Sequence, residues 1–232
     1  MQTIGLIGGM SWESSAAYYE GLNKGVQARL GGLHSAKTVL ASVDFAEVTA
    51  CQQSGDWDRA GAILSEAAQG LEKAGADFIL LCATTFHQVY DTVAAAVSVP
   101  VIHLADVLAE KCKALGITTV GFLSTAYTME NEFFAQRISD HGLDVNLPDS
   151  LHIETIDSII YNELVFRTVE PGSRRRIATI VDELWDSGAQ GVILGASELS
   201  LLVRPEDVEV PVLDVITVHV EAALERAFAD AE

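Results

Sequence analysis

The chain has 232 residues, 49% of them hydrophobic, with 33 acidic against 14 basic side chains and a formal net charge of −19. That length supports one large domain or two small ones with real cores. No apolar run approaches the roughly 20 residues of a membrane-spanning helix, and the charge repels phosphate backbones and anionic lipid, so neither nucleic acid nor membrane is expected as a partner.

The N-terminus, "MQTIGLIGGMSWESS", has no basic leader and runs straight into a strand-and-turn pattern, so no signal peptide is expected. "TIGLIGG" (3–9) reads as a strand closing in glycines. Residues 15–32 read as a helix, with Tyr18, Leu22, Val26 and Leu30 recurring every four positions. A strand follows at 36–45 and a helix at 59–76. "DFILLCA" (77–83) is an unbroken apolar strand, as expected where both sheet faces are covered. Residues 85–97 read as helical and 99–105 as a strand. Strands alternating with helices imply βαβ units and mostly parallel sheets, an α/β fold. Cys51, Cys82 and Cys112 fit no zinc or disulfide spacing, which points to reduced thiols in a cytoplasmic protein and to no metal site.

The second half repeats the first. "GADFILLCATTFH" (75–87) aligns without a gap on "GAQGVILGASELS" (188–200), and "VPVIHLADV" (99–107) on "VPVLDVITV" (210–218). "IGLIGGMSWESSAAYY" (4–19) aligns more loosely on residues 120–134. The expected architecture is two pseudo-symmetric half-domains with mostly parallel sheets. Residues 1–100 with a C-terminal helix at 215–232 form the first, and 101–214 the second. Ligands of such sheets bind beyond the strand carboxyl ends, so the expected site is a cleft between the halves. Four strand-to-helix turns would line it: Gly8-Gly9-Met10-Ser11, Ala83-Thr84-Thr85, Ser124-Thr125-Ala126 and Ala196-Ser197-Glu198. Backbone N–H groups and small hydroxyls at helix starts suit a carboxylate.

The quoted segments, with "LGGLHSAKTVLASVDFAEVTACQQSGDWD" (30–58), "CATTFH" (82–87), "YTMENEFF" (127–134), "IDSIIYNEL" (156–164) and "VPVLDVITVHVEAAL" (210–224), make the chain resemble the aspartate/glutamate racemase superfamily. The likeness is strongest to its short bacterial amino-acid racemases and covers nearly the whole length. It implies a small carboxylate or amino-acid ligand, cofactor-free (PLP-independent) proton exchange at Cα, and a homodimer. It also implies two cysteines, one per half, that remove and return the proton on opposite faces. This sequence departs from that pattern. In register with the family's Cys-Asn-Thr and Gly-Cys-Thr-Glu turns, the thiol positions hold Ala83 and Ala196, and Thr84 stands where the Asn would be.

Cys82 is one residue off. Successive strand side chains face opposite sides, so Cys82 reads as a buried thiol unless a bulge turns it. Thr84, Glu198, Cys82 and His87 are the candidates left for chemistry. The resemblance assigns ligand binding to Met10, Gln52, Ala83, Thr84, Thr85, Thr125, Ala196, Ser197 and Glu198. Phe166 stands where some relatives carry a Lys, beside Arg167. Ser173-Arg174-Arg175-Arg176 reads as the start of a solvated helix face, and Asp44, His103, Asp106 and Asp214 as structural residues near strand ends. Three readings stay open. One is an amino-acid racemase-type isomerase lacking both thiols, with two-base racemisation lost or weak. Another is a lyase or decarboxylase doing one-sided chemistry on the same scaffold. The third is a non-catalytic carboxylate-binding protein.

Overall fold

The computed structural model describes residues 1–203 and 208–229. It divides into two compact units, Met1–Leu104 with His219–Glu232, and Ala105–Val218. The chain passes from one to the other after Leu104 and returns after Val218.

In the first unit, β1 (Ile4–Gly8) leads through the Gly9–Ser11 turn into α1 (Trp12–Leu30), which Ser11 caps by accepting the Ser14 N–H. Next come β2 (Thr38–Ser42), α2 (Phe45–Ser54), α3 (Trp57–Lys73), β3 (Phe78–Leu81), a 3-10 segment Thr85–Val89, α4 (Tyr90–Ala95) and β4 (Val101–Ile102). The sheet order is β2-β1-β3-β4, every pairing parallel. All four β3 residues are buried, so "FILL" carries no polar alternation. On one face of the sheet, α3 buries Leu64, Ala68 and Leu71, at helical spacing, against Ile7, Ile79 and Leu81.

The second unit runs α5 (Leu104–Ala114), β5 (Thr119–Leu123), α6 (Ala126–Glu130), α7 (Phe133–Asp140), β6 (Asp144–Asn146), α8 (Ser150–Asn162), α9 (Pro171–Asp186), β7 (Val192–Leu194) and β8 (Val212–Asp214). Two 3-10 segments, Leu164–Phe166 and Ser197–Leu201, lie among them. Its sheet order, β6-β5-β7-β8, is again all parallel and matches the first strand for strand. The closing helix, α10 (Val215–Phe228), returns to the first unit, where Gln2 donates its N–H to the Ala227 carbonyl at 2.9 Å.

Equivalent bonds carry the repeat. Gly75 and Gly188 take positive φ, 91° and 102°, before β3 and β7. Two residues later, Asp77 accepts the Thr3 N–H at 2.6 Å and Gln190 accepts the Thr118 N–H at 2.7 Å. The repeat diverges after β1 and β5. The single helix α1 has as its counterpart two short helices, α6 and α7, separated at Glu132, whose φ of 55° ends helical geometry.

Some elements are shorter than the apolar pattern suggests. The 36–45 strand stops at Ser42 because Asp44 caps α2 through the Ala46 N–H. The 99–105 strand shrinks to two residues because α5 begins at Leu104. The 85–97 helix divides into a 3-10 turn and α4.

Packing of α10 on α1 depends on Gly25. A Cβ there would lie 2.1 Å from Leu224 Cδ1, and Leu224 is buried. Gly25→Val is expected to destabilise the chain by about 1–3 kcal/mol, the usual cost of overpacking. Adding Leu224→Ala should recover part of that loss. Urea unfolding of the two single variants and the double variant measures the coupling.

Candidate carboxylate-binding turns at the strand ends

The central ladder of each sheet ends in the same hydrogen bond. Cys82 N–H donates to the Ile7 carbonyl at 3.0 Å, and Gly195 N–H donates to the Leu123 carbonyl at 2.6 Å. Cys82 is thus held in extended pairing with no bulge. Ala83 and Ala196 are the first residues beyond the two ladders. Ala83 packs half-buried beside the Leu81 cluster, and Ala196 is 7% exposed.

Cys82 is 1% exposed, and its Sγ has only a weak contact with the Leu80 carbonyl at 3.9 Å. Burial pushes its thiol pKa well above the ordinary range. A thiol held protonated is neither nucleophile nor base. The geometry gives no support to Cys82 as a reactive group. Cys112 is likewise buried, with its pKa pushed up to about 11.

His87 is also withdrawn from chemistry. Its Nδ1 lies 2.8 Å from the Ala83 carbonyl, and its Nε2 accepts the Leu104 N–H at 3.2 Å. That pair of partners assigns the proton to Nδ1 and occupies the Nε2 lone pair, so the neutral ring clamps the Ala83 turn to the start of α5. His103 packs beside it at 4.6 Å between ring centroids, and His219 at 6.3 Å. All three are buried, with Tyr90 beside them and the Tyr18 hydroxyl 2.9 Å from His219 Nδ1.

The four turns are not equivalent as anion sites. Gly9 N–H donates to Ser15 Oγ at 2.9 Å, and Ala126 N–H donates to Asp157 Oδ1 at 2.8 Å. Side chains of the protein hold both amides. At the starts of the 3-10 segments, Thr84 and Ala196 make no side-chain cap bond. Thr125, before α6, makes none either, so the missing cap does not single out the turns carrying Ala. The helix-dipole expectation weakens, because three of the four turns lead into short or 3-10 segments and only that before α1 opens a long helix.

Other expected residues fall out differently. Thr85, Gln52, Thr125, Ser197 and Glu198 are half-buried. Ser197 Oγ donates to Glu198 Oε2 at 3.1 Å, and the Thr125 and Thr128 hydroxyls share a hydrogen bond at 3.0 Å. Met10 is buried in the cluster under α3, a core residue in this geometry. Arg167 is exposed with a φ of 56°, and Phe166 is exposed beside it. Arg174, expected on a solvated face, instead donates to the Leu202 and Leu201 carbonyls at 2.7 and 3.0 Å. It thereby anchors the end of the Ser197–Leu201 segment. Asp106 binds Arg137 through both oxygens, at 2.6 and 2.8 Å, and Asp214 accepts the Thr217 N–H and hydroxyl.

Sequence reasoning missed Asp157 and Tyr161. They stand four apart in α8, one face of a helix. Burial first, then the charges of Asp157 and Glu198, raises the Tyr161 pKa. The spacing was visible within "IDSIIYNEL", but nothing local said which strand end it would meet. A surface depression of about 680 Å³ lies elsewhere, lined by Thr119, Asp144 and Gly188 at the amino ends of the second sheet.

These features define a two-unit α/β protein whose two parallel sheets share one strand order and end their central ladders in the same hydrogen bond. The model of the Asp/Glu/Hydantoin racemase family matches residues 7–223, and the chain belongs to that family. An Asp/Glu racemase candidate from Yersinia pestis is 44% identical, with a TM-score of 0.94, covering 98% of this chain and 100% of its own. An aspartate racemase homologue from Pyrococcus horikoshii OT3 is 32% identical, with a TM-score of 0.89 and 98% and 99% coverage. An unliganded arylmalonate decarboxylase shares the fold at 17% identity, with a TM-score of 0.55 and 98% and 93% coverage.

The histidine cluster has a pH consequence. Burial, then the nearby His87, lowers the His219 pKa to about 3, against a weaker opposing effect of the Ile102 carbonyl. The folded state keeps His219 neutral while the unfolded chain protonates near pH 6.5. Its contribution to stability is therefore complete above about pH 6.5 and is lost as pH falls toward 3, at up to about 1.4 kcal/mol per pH unit. Urea midpoints between pH 7.5 and 4 are expected to fall along this limb. His219→Gln, which can still accept from Tyr18, should flatten it.

Proposed function

We propose that this racemase-family protein binds a small carboxylate, most simply an amino acid, and that it does not carry out two-base racemisation. The single observation carrying this is that both positions where the resemblance expects a thiol hold Ala, each just beyond the same ladder-ending hydrogen bond. A methyl group neither removes nor returns a proton. Thr84 and Thr85 of the first unit bring hydroxyls, groups that donate to a carboxylate.

Inversion at Cα needs an acid and a base on opposite faces. Glu198 is the one carboxyl on the two turns, so chemistry by this chain is one-sided at most. No cofactor enters the proposed reading.

The test is deuterium exchange at Cα of L- and D-aspartate, L- and D-glutamate and other amino acids in D2O. The chain as it stands should leave both enantiomers unexchanged over hours. The paired substitution Ala83→Cys with Ala196→Cys should raise exchange by orders of magnitude, since each acid–base group contributes about 10²–10⁴. Exchange of both enantiomers by the unaltered chain would contradict the reading.

A further inference from the structure

A buried polar group costs stability unless it finds a partner. The first unit nevertheless gathers three buried histidines in one place. His87 lies in the 3-10 segment after β3, His103 just beyond β4, and His219 in α10. Their places in the chain are particular. His103 precedes Leu104, the last residue before the chain leaves the first unit, and His219 is the first residue after it returns. The titratable side chains that face His87 are Tyr90 of α4, stacked on it at 6.3 Å between ring centroids, His103 at 4.6 Å and His219 at 6.3 Å. Tyr18 of α1 stands behind His219, with its hydroxyl on Nδ1.

Through His87, one ring joins two backbone groups seventeen or more residues apart. Nδ1–H donates to the Ala83 carbonyl at 2.8 Å, and Nε2 accepts the Leu104 N–H at 3.2 Å. Leu104 is itself buried, so its amide has no access to solvent as a substitute. Only the neutral ring protonated at Nδ1 makes both bonds. An imidazolium carries N–H at both nitrogens and accepts nothing. A proton on Nε2 would set donor against donor, at a buried site.

The closed link therefore excludes a proton that the open one accepts. Charge on one ring also opposes charge on its neighbour, as the effect of His87 on His219 shows. With the link open and His87 in water, the ring takes up a proton near the ordinary histidine value of about 6.5. By linkage, each pH unit below that value favours the open form by up to about tenfold.

We propose that His87 is a positioning residue for the Ala83 turn, and that its hold is acid-labile: proton uptake by the buried ring releases the Leu104 amide and with it the turn. The inference concerns regulation of the site proposed above and rests on that reading for its purpose, whereas the link itself needs no ligand.

Amide hydrogen exchange followed by NMR on the full chain, from about pH 8 to 5 and corrected for intrinsic exchange, tests it. Protection of the Leu104 amide should fall by up to about tenfold per pH unit below about pH 6.5. Sub-denaturing urea should change that protection little, the mark of a local opening, while the Cys82 amide in the central ladder should be better protected and sensitive to urea. His87→Gln supplies a donor and an acceptor that do not titrate. It should keep Leu104 protected at about pH 7.5 and remove the pH dependence, whereas His87→Leu should lower protection at every pH. Flat protection of Leu104 in the unaltered chain would overturn the inference. Loss that tracks Cys82 in both pH and urea would do the same, since it reports unfolding of the whole unit, and so would a pH dependence that survives His87→Gln. Calorimetric titration with L-aspartate at about pH 7.5 separates this inference from the proposed function. Binding should be retained by His87→Gln and weakened about tenfold or more by His87→Leu, and equal binding by His87→Leu would overturn the positioning role. No binding by the unaltered chain counts against the carboxylate reading, and the exchange data then decide the inference by themselves.

Discussion

Each half of this protein turns on one backbone hydrogen bond at the end of its central ladder: Cys82 N–H to Ile7 O in one, Gly195 N–H to Leu123 O in the other. Because side chains alternate along a strand, that bond decides which residue belongs to the sheet and which is the first to leave it. It keeps Cys82 in the packed layer, where burial holds the thiol protonated, and makes Ala83 the first residue of the turn. It does the same for Gly195 and Ala196. A Cβ on Gly195 would meet the Phe122 ring at 2.4 Å, so no side chain fits on that side of the second ladder without displacing the ring.

Around those turns the protein spends polar groups on rigidity. His87 ties the Ala83 carbonyl to the Leu104 amide with a single neutral ring, and Arg174 ties down the end of the Ser197–Leu201 segment. Ser15 and Asp157 hold the amides of the neighbouring turns. On the proposed reading, such a scaffold recognises a carboxylate and lacks the pair of acid–base groups that inversion at its α-carbon needs.

Much of this was legible in the amino acids. "DFILLCA" gave away a buried parallel strand, and the gapless match of 75–87 to 188–200 gave the duplicated halves and the pairing of Ala83 with Ala196. Patterns of apolar residues report burial, and both features are consequences of burial. The departures arise where a side chain from a distant segment sets a boundary. Leu104 begins a helix where apolar periodicity continues a strand, and His87, seventeen residues earlier, accepts its amide. Arg174 sits in a charged run that looks solvated, yet its guanidinium meets carbonyls twenty-seven and twenty-eight residues away. Met10, which the resemblance places at the ligand, is buried in the cluster that packs under α3. Asp157 reaches Ala126 across thirty-one residues, a meeting no local pattern encodes.

The central claim of the proposed reading is that position 83, and not the cysteine beside it, is the one open to a ligand. Alkylation of the folded Ala83→Cys chain with iodoacetamide, followed by peptide mass spectrometry, tests it most directly. The account predicts rapid modification of the introduced thiol while Cys82 stays unmodified until denaturant is added. Modification of Cys82 in the folded chain, with the introduced thiol protected, would contradict it.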